Sequence, residues 1–263
     1  MLPYLEFLDV AKQAALKAAD VLAHWREKFQ VKEKGRADLV TDADVASQKV
    51  IREHLLAAFP AHGFLGEEDI SSHGRLGPDA PPTWIVDPID GTTNYVHDFP
   101  FYCISIGLMT DGQLTVGAIY DPSKKEMFAA AKGHGAFLNE RRIRTTKIDR
   151  LEESLLSTGF APDVRNQHKP FEWWRWFSTR AQSVRRTGST ALNVAYVAAG
   201  RFDGYYAFDN HVWDIAAAAA ILLESGGTIT NLEGEGYDPF RADAIATNGP
   251  LHPTIVDAFR VGP

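Results

Sequence analysis

The run Trp84-Ile85-Val86-Asp87-Pro88-Ile89-Asp90-Gly91-Thr92-Thr93-Asn94 constrains this chain more than any other stretch. Its bulky apolar start reads as a buried strand, which meets an acid followed by a proline that cannot extend a ladder, so the strand is expected to end at Asp87. Asp90 follows within one turn of chain. Both carboxylates can then aim at the same point with the carbonyl of Ile89 between them, the outline of a hard-cation site. Gly91, Thr92 and Thr93 add a hinge, two hydroxyls and backbone N–H groups where a helix can start, which suits a phosphate oxygen. Asp-Pro and Asp-Gly pairs are also ordinary turn chemistry, so the rest of the chain has to decide.

At 263 residues, 45% hydrophobic and 23% charged, the chain can bury a substantial core as one large domain or two joined lobes. A net charge of -7 disfavours a protein that grips nucleic-acid backbone, which is done with cationic side chains. The single cysteine, Cys103, lies in an apolar context and reads as a packed thiol; no internal disulfide is possible, which fits a reducing, cytoplasmic setting. Glu6, Asp9 and Lys12 interrupt the N-terminus where an export signal would be apolar. The apolar run from Ile215 to Leu223 is too short for a bilayer, which needs about 20 residues, so a membrane partner is not expected.

Along the chain, Leu5, Leu8, Ala11, Ala15, Ala18, Leu22 and Trp25 recur at helical spacing and predict a packing helix. Val31 to Val40 reads as a charged loop. A second helix is expected from about Val45 to Phe59, with Val45, Val50, Ile51, Leu55 and Leu56 buried, Thr41 or Asp42 capping it, and Asp44 in its first turn. Phe64-Leu65 is a short strand. Glu67, Glu68 and Asp69 repel one another unless solvated or gathered around a cation. Ser71 to Pro82 is a Gly/Pro/Ser-rich loop. Phe101–Met109 and Leu114–Tyr120 read as strands joined by the hairpin signal Asp111-Gly112, with further strands at Glu126–Ala131 and Gly135–Leu138. Arg141, Arg142 and Arg144 read as a solvated edge. After a change of texture near Ile148 come a strand at Leu155, an aromatic segment Phe171–Phe177 that is a core or dimer-contact helix, and a helix Ala191–Ala199 entered through Gly188, Ser189 and Thr190. Phe202–Phe208 is a strand, and Asp214 reads as the N-cap of a helix Ile215–Glu224 ended by Gly226-Gly227. Strands at Thr228–Thr230 and Ala244–Thr247 and a last helix complete the chain.

The nine histidines show no pairing at helical spacing, no nucleophile elbow of the Gly-x-Ser-x-Gly kind occurs, and the Walker pattern is absent. What remains is a set of acids. Asp38-Leu39-Val40-Thr41-x-x-Asp44, Gly66-Glu67-Glu68, the Trp84–Asn94 segment and Trp213-Asp214 occur in the order in which they mark the inositol monophosphatase family, which the chain resembles over nearly its whole length.

The resemblance implies magnesium-dependent, lithium-sensitive hydrolysis of phosphomonoesters. It implies a layered αβαβα sandwich of the inositol monophosphatase/fructose-1,6-bisphosphatase type, mixing α+β and α/β character. An N-terminal α+β lobe (1–147) would carry most ligands, and a C-terminal α/β lobe (148–263) would carry Asp214. By the same resemblance Glu67, Asp87, Asp90 and Asp214 are side-chain metal ligands, and Ile89 binds through its carbonyl. Asp44 with Thr92 orients and deprotonates a water, and Glu68 helps to order it. Gly91 and Thr92 hold the phosphate through backbone N–H groups. On the order of two or three Mg2+ ions per site are implied, with Mn2+ as a substitute. Gly188, Ser189, Thr190 and Asp209 fall on the substrate side. Inositol-specific members carry a glutamate where this chain has Ala207, a departure that loses one contact to ring hydroxyls, worth about 1 kcal/mol or more. The expected substrate is therefore a small phosphate ester, inositol-1-phosphate-like, with histidinol phosphate, a sugar phosphate or a nucleotide as alternatives. A homodimer is implied. A regulatory module binding RNA or protein on the same fold is the alternative of a different class.

Overall fold

The computed structural model describes residues 3–35, 38–69, 76–77, 79–161, 163–165 and 167–263. Alanine and leucine at helical spacing form α1 (Tyr4–Trp25), whose buried stripe is Phe7, Leu8, Ala11, Ala14, Ala15, Ala18 and Leu22; Leu5, expected in that stripe, is half exposed. The stretch expected as a charged loop is instead a hairpin, β1 (Val31–Gly35) and β2 (Asp38–Thr41), antiparallel to one another. Val31, Lys32 and Glu33 are all exposed, so these residues show none of the alternation by which a strand is read from sequence. Thr41 caps α2 (Asp42–Ala58), which starts earlier than expected and leaves Val45 on its solvent side.

Next come β3 (Gly63–Gly66) and β4 (Thr83–Asp90); the loop expected over Ser71–Pro82 lies largely outside the described residues. The strand does not end at Asp87. It runs through Pro88 because the ladder to β5 (Cys103–Thr110) is broken there: Asp87 pairs with Ser105 and Asp90 with Cys103, which leaves Pro88 and Ile89 opposite one residue. A bulge needs no donor from proline, and it turns the Ile89 carbonyl out of the ladder. A five-residue helix, α3 (Thr92–Val96), follows Gly91, whose φ of 97° favours glycine. The hairpin from β5 to β6 (Gln113–Asp121) turns on Asp111 and Gly112, both at positive φ, as that pair predicts. With β7 (Glu126–Ala131), β8 (Gly135–Leu138) and β9 (Arg141–Arg142) they form a seven-stranded sheet in the order β3-β4-β5-β6-β7-β8-β9, antiparallel except for β3 and β4.

The remaining elements are β10 (Leu155–Thr158), α4 (His168–Ser178), β11 (Ser183–Arg185), α5 (Thr190–Ala198), β12 (Gly204–Ala207), α6 (Val212–Glu224), β13 (Thr228–Thr230), β14 (Ala244–Thr247) and α7 (His252–Val261). Their strands make a second sheet, β11-β10-β12-β14-β13. Alternation along each strand decides the layers. Trp84, Val86, Ile104 and Ile106 pack on α1 and α2, whereas Cys103, Ile119 and Phe128 face α5 and α6. Those two helices also pack on Tyr205, Ala207 and Ala246 of the second sheet, whose other face, with Tyr206 and Ile245, is covered by Trp173, Phe177 and Ile255 of α4 and α7. The order is helix, sheet, helix, sheet, helix. Trp173 and Phe177 are thus core residues, Trp176 is partly buried, and Phe171 and Trp174 of the aromatic run are exposed.

The middle helix lies very close to the first sheet. A Cβ on Gly107 would meet the backbone of Ala217 at 2.9 Å, and one on Gly117 would collide with the Ala217 carbonyl, so glycine on the sheet and the Ala216–Ala220 run on α6 together permit the approach.

Candidate active site

Asp44 occupies the third position of α2 and is fully buried. Its Oδ2 accepts from the Thr41 N–H (2.7 Å) and Oγ1 (2.6 Å), while its Oδ1 lies 3.2 Å from Thr92 Oγ1. Burial pushes its pKa up to about 6, against the bonds from Thr41 and Thr92 and with the help of the Glu68 charge. Thr92 Oγ1 is also 3.1 Å from the Ile89 carbonyl, so its one proton has two acceptors within reach. Asp44, Ile89 and Thr92 are therefore brought together. Glu68 stands close enough to act on Asp44, and its N–H donates to Gln48 Oε1 at 2.9 Å.

The four acids of the expected ligand set interact with one another. Asp87 is driven well above the ordinary carboxylate range by burial, then by the charges of Glu67, Asp90 and Asp214, and by a hydrogen bond with Glu67. Burial and Asp214 push Asp90 up to about 7, although Oδ2 accepts from Ser189 Oγ (2.5 Å) and Ala191 N–H (2.6 Å) and Oδ1 from Thr190 N–H (3.2 Å). Asp214 is not the N-cap expected of it. It sits at the third position of α6, where its Oδ2 accepts from the N–H of the capping residue His211 at 2.7 Å. A carboxylate one turn inside the helix still faces the chain entering it, which is how it reaches the other acids.

Ser189, the N-cap of α5, and Thr190 thus bond to Asp90, and a cleft of about 810 Å³ opens beside them. Its walls include Glu67, Asp90, Gly188, Ser189, Thr190, Ala207, Asp209 and Asp214. Asp209 is exposed there. Gly91 and Thr92 lie at the start of α3, and Asn94 Nδ2 staples that segment to the Phe101 (2.6 Å) and Thr187 (2.8 Å) carbonyls, next to Gly188. Phe160, Arg186, Asn210 and His211 also line the cleft; sequence reasoning missed Phe160, Arg186 and Asn210 because they are scattered singletons. Arg186 sits 5.1 Å over the Phe160 ring, and the His211 and Trp213 rings stack at 4.8 Å.

The donor set suits a divalent cation: carboxylate oxygens plus the Ile89 carbonyl freed by the bulge are the hard ligands magnesium takes. Among the described residues no three of these side chains are closed around one point, since Asp87 bonds to Glu67 and Asp90 to the start of α5. A cation would exchange those bonds for its own. It would also remove the mutual repulsion that raises the acids' pKa values.

A profile of the inositol monophosphatase family matches residues 4–261. An inositol-1-monophosphatase of Synechocystis is 39% identical over 261 residues, covering 98% of this chain and 90% of that protein. The Nus factor SuhB of Xylella fastidiosa is 38% identical over 231 residues, covering 86% of this chain and 82% of its own. Among solved structures, an inositol monophosphatase from Anabaena superposes with a TM-score of 0.88 at 36% identity, with 98% of this chain and 97% of that one covered.

Proposed function

Since the chain belongs to the inositol monophosphatase family and is a phosphoric monoester hydrolase, we propose that it hydrolyses a small-molecule phosphate with the help of Mg2+ held by Glu67, Asp87, Asp90, Asp214 and the Ile89 carbonyl. The observation that carries this is Asp87, fully buried amid the charges of Glu67, Asp90 and Asp214, acids that come from three separate parts of the sequence. Cations bound there would screen the anionic ester, make water a better nucleophile and stabilise the departing alkoxide.

The chain's own groups supply the rest. Asp44, its pKa pushed up to about 6 by burial and its Oδ1 linked to Thr92, accepts the proton of the attacking water, with Glu68 ordering water beside it. Gly91 and Thr92 hold the phosphate through their N–H groups. Ser189, Thr190 and Gly188 bound the leaving-group side. The test is phosphate release from a panel of monoesters, inositol phosphate and histidinol phosphate among them, with and without Mg2+. Release that requires the cation is expected, and no release from any ester would sink the proposal.

Ala207 faces the cleft with a methyl group, which cannot accept a bond from an inositol hydroxyl, whereas Asp209 offers a carboxylate to an amine. Asp209→Asn should lower the preference for an amine-bearing ester over a neutral one by about 2- to 5-fold, the small effect expected of an exposed ion pair. An unchanged ratio of kcat/KM values would remove Asp209 from the specificity reading. Similarity to the protein named Nus factor SuhB favours one second reading, a regulatory module, although the net charge of -7 argues against contact with RNA backbone. A salt-sensitive mobility shift on RNA, without magnesium-dependent phosphate release, would reverse that order.

A further inference from the structure

Two of the acids read as cation ligands come from distant elements: Asp90 ends β4, and Asp214 lies in the first turn of α6. Their separation depends on how the start of α5 is held against the loop 208–211. One buried side chain spans both. Tyr205 of β12 is 1% exposed, and its hydroxyl lies 3.0 Å from Thr190 Oγ1 and donates to Asn210 Oδ1 at 2.8 Å. Each partner leads to an acid. The Thr190 N–H donates to Asp90 Oδ1 at 3.2 Å; Asn210 immediately precedes His211, whose N–H donates to Asp214 Oδ2 at 2.7 Å.

The hydroxyl is not needed for packing. A phenylalanine ring would fill the same space between α5 and the second sheet, and a buried hydroxyl costs about 1–3 kcal/mol unless it is bonded. With a donor to Asn210 Oδ1 and a lone pair for the Thr190 hydroxyl, the Tyr205 oxygen is bonded on both sides. Asn210 depends on it: its Nδ2 is buried without a partner, so among the described residues the bond from Tyr205 is the one that its side chain makes.

We infer that Tyr205 is a positioning residue which, through Thr190 and Asn210, sets the separation of Asp90 and Asp214 and with it the affinity of the site for a divalent cation. This rests on reading the acid cluster as a cation site. Outer-shell partners of ligating groups typically change metal affinity by about 10- to 100-fold when they are removed.

The test is calorimetric titration of the full chain, stripped with chelator, with MgCl2 and MnCl2, comparing wild type, Tyr205→Phe and Tyr206→Phe. Tyr206, next along the strand, faces the other way and packs on Phe177 with ring centroids 4.7 Å apart. Tyr205→Phe should weaken cation binding about 10-fold or more. Tyr206→Phe should not; in chelator Tyr205→Phe, which leaves Asn210 Oδ1 buried without its donor, should melt roughly 2–12 °C lower than wild type but remain folded at the temperature of the titration. Asn210→Ala cuts the same chain from the other side and should weaken binding alike if Tyr205→Phe does not fold. Wild type that takes up neither cation would overturn the cation reading itself. Wild type that binds, with Tyr205→Phe or its substitute Asn210→Ala binding equally well, would overturn the positioning role alone, as would equal weakening by Tyr206→Phe.

Discussion

Asp90→Asn is expected to lower kcat/KM for a phosphomonoester by at least about 10²-fold, equivalent to about 3 kcal/mol of lost transition-state stabilisation, while the protein stays folded. The substitution keeps the size of the side chain, and an amide oxygen in the Oδ2 position can still accept from Ser189 Oγ and the Ala191 N–H, so that only the longer bond from the Thr190 N–H is lost. What disappears is one negative charge at the point where the proposed cations gather. Asp90 is buried and already pushed toward its neutral form by burial and by Asp214, so a neutral replacement relieves repulsion. The chelated variant should therefore melt no lower than wild type. Circular dichroism and a thermal melt check the fold, and steady-state kinetics at several Mg2+ concentrations check the rate. A rate unchanged at every concentration would remove Asp90, and with it the proposed centre, from the chemistry.

Asp44, Asp87 and Asp90 drew notice in the sequence because strong local signals stand beside them, a helix start and an apolar run ended by Pro88, whereas Glu67 and Asp214 read as a solvated acid and a helix cap and became ligand candidates only through the resemblance. The hairpin at Asp111-Gly112 was legible from a local signal as well, since positive φ at both positions selects those residues. Local signals misled where tertiary structure supplied an exception. Pro88 predicts a strand end, yet the bulge opposite Ile104 lets the strand continue and frees the Ile89 carbonyl. Val31, Lys32 and Glu33 at the start of the ribbon are all exposed and so carry no in-out alternation, which is why the stretch read as a loop. Tyr205 was invisible as a candidate for a different reason. Its hydroxyl matters only because α5 and the loop before α6 meet above β12, a contact between residues 190, 205 and 210 that no spacing rule encodes. The five-layer order needed the resemblance, because alternation along a strand shows that two faces are buried without showing what covers each.

Without divalent cations, the protein should lose stability as pH rises from about 4 to about 7, and Mg2+ should restore it at the upper end. Asp44 and Asp90 move from an ordinary 3.8 to about 6 and about 7 in the folded chain, and Asp87 moves in the same direction. Across that window the native state holds protons that the unfolded chain has released, so unfolding free energy falls with rising pH; below the unfolded value the penalty is absent, and above the folded value it is complete. Every tenfold weakening of a carboxyl's acidity on folding costs about 1.4 kcal/mol once the group is ionised, so the cluster amounts to several kcal/mol. Each kcal/mol is worth roughly 2–4 °C in a chain of this size. Paired acids with lowered pKa values, such as Glu126 beside Arg201, work in the opposite direction, so the comparison that isolates the cluster is between chelator and cation at each pH. A cation prefers the ionised carboxylates. At about 100 times its Kd it would add about 2.7 kcal/mol, or roughly 5–10 °C, at pH 7.5, and little at pH 5, where protons occupy the same oxygens. Melts in EDTA and in excess MgCl2 at both pH values measure this, with Asp90→Asn expected to flatten both the pH slope and the magnesium increment. A magnesium increment as large at pH 5 as at pH 7.5 would mean that the cation binds somewhere other than on these acids.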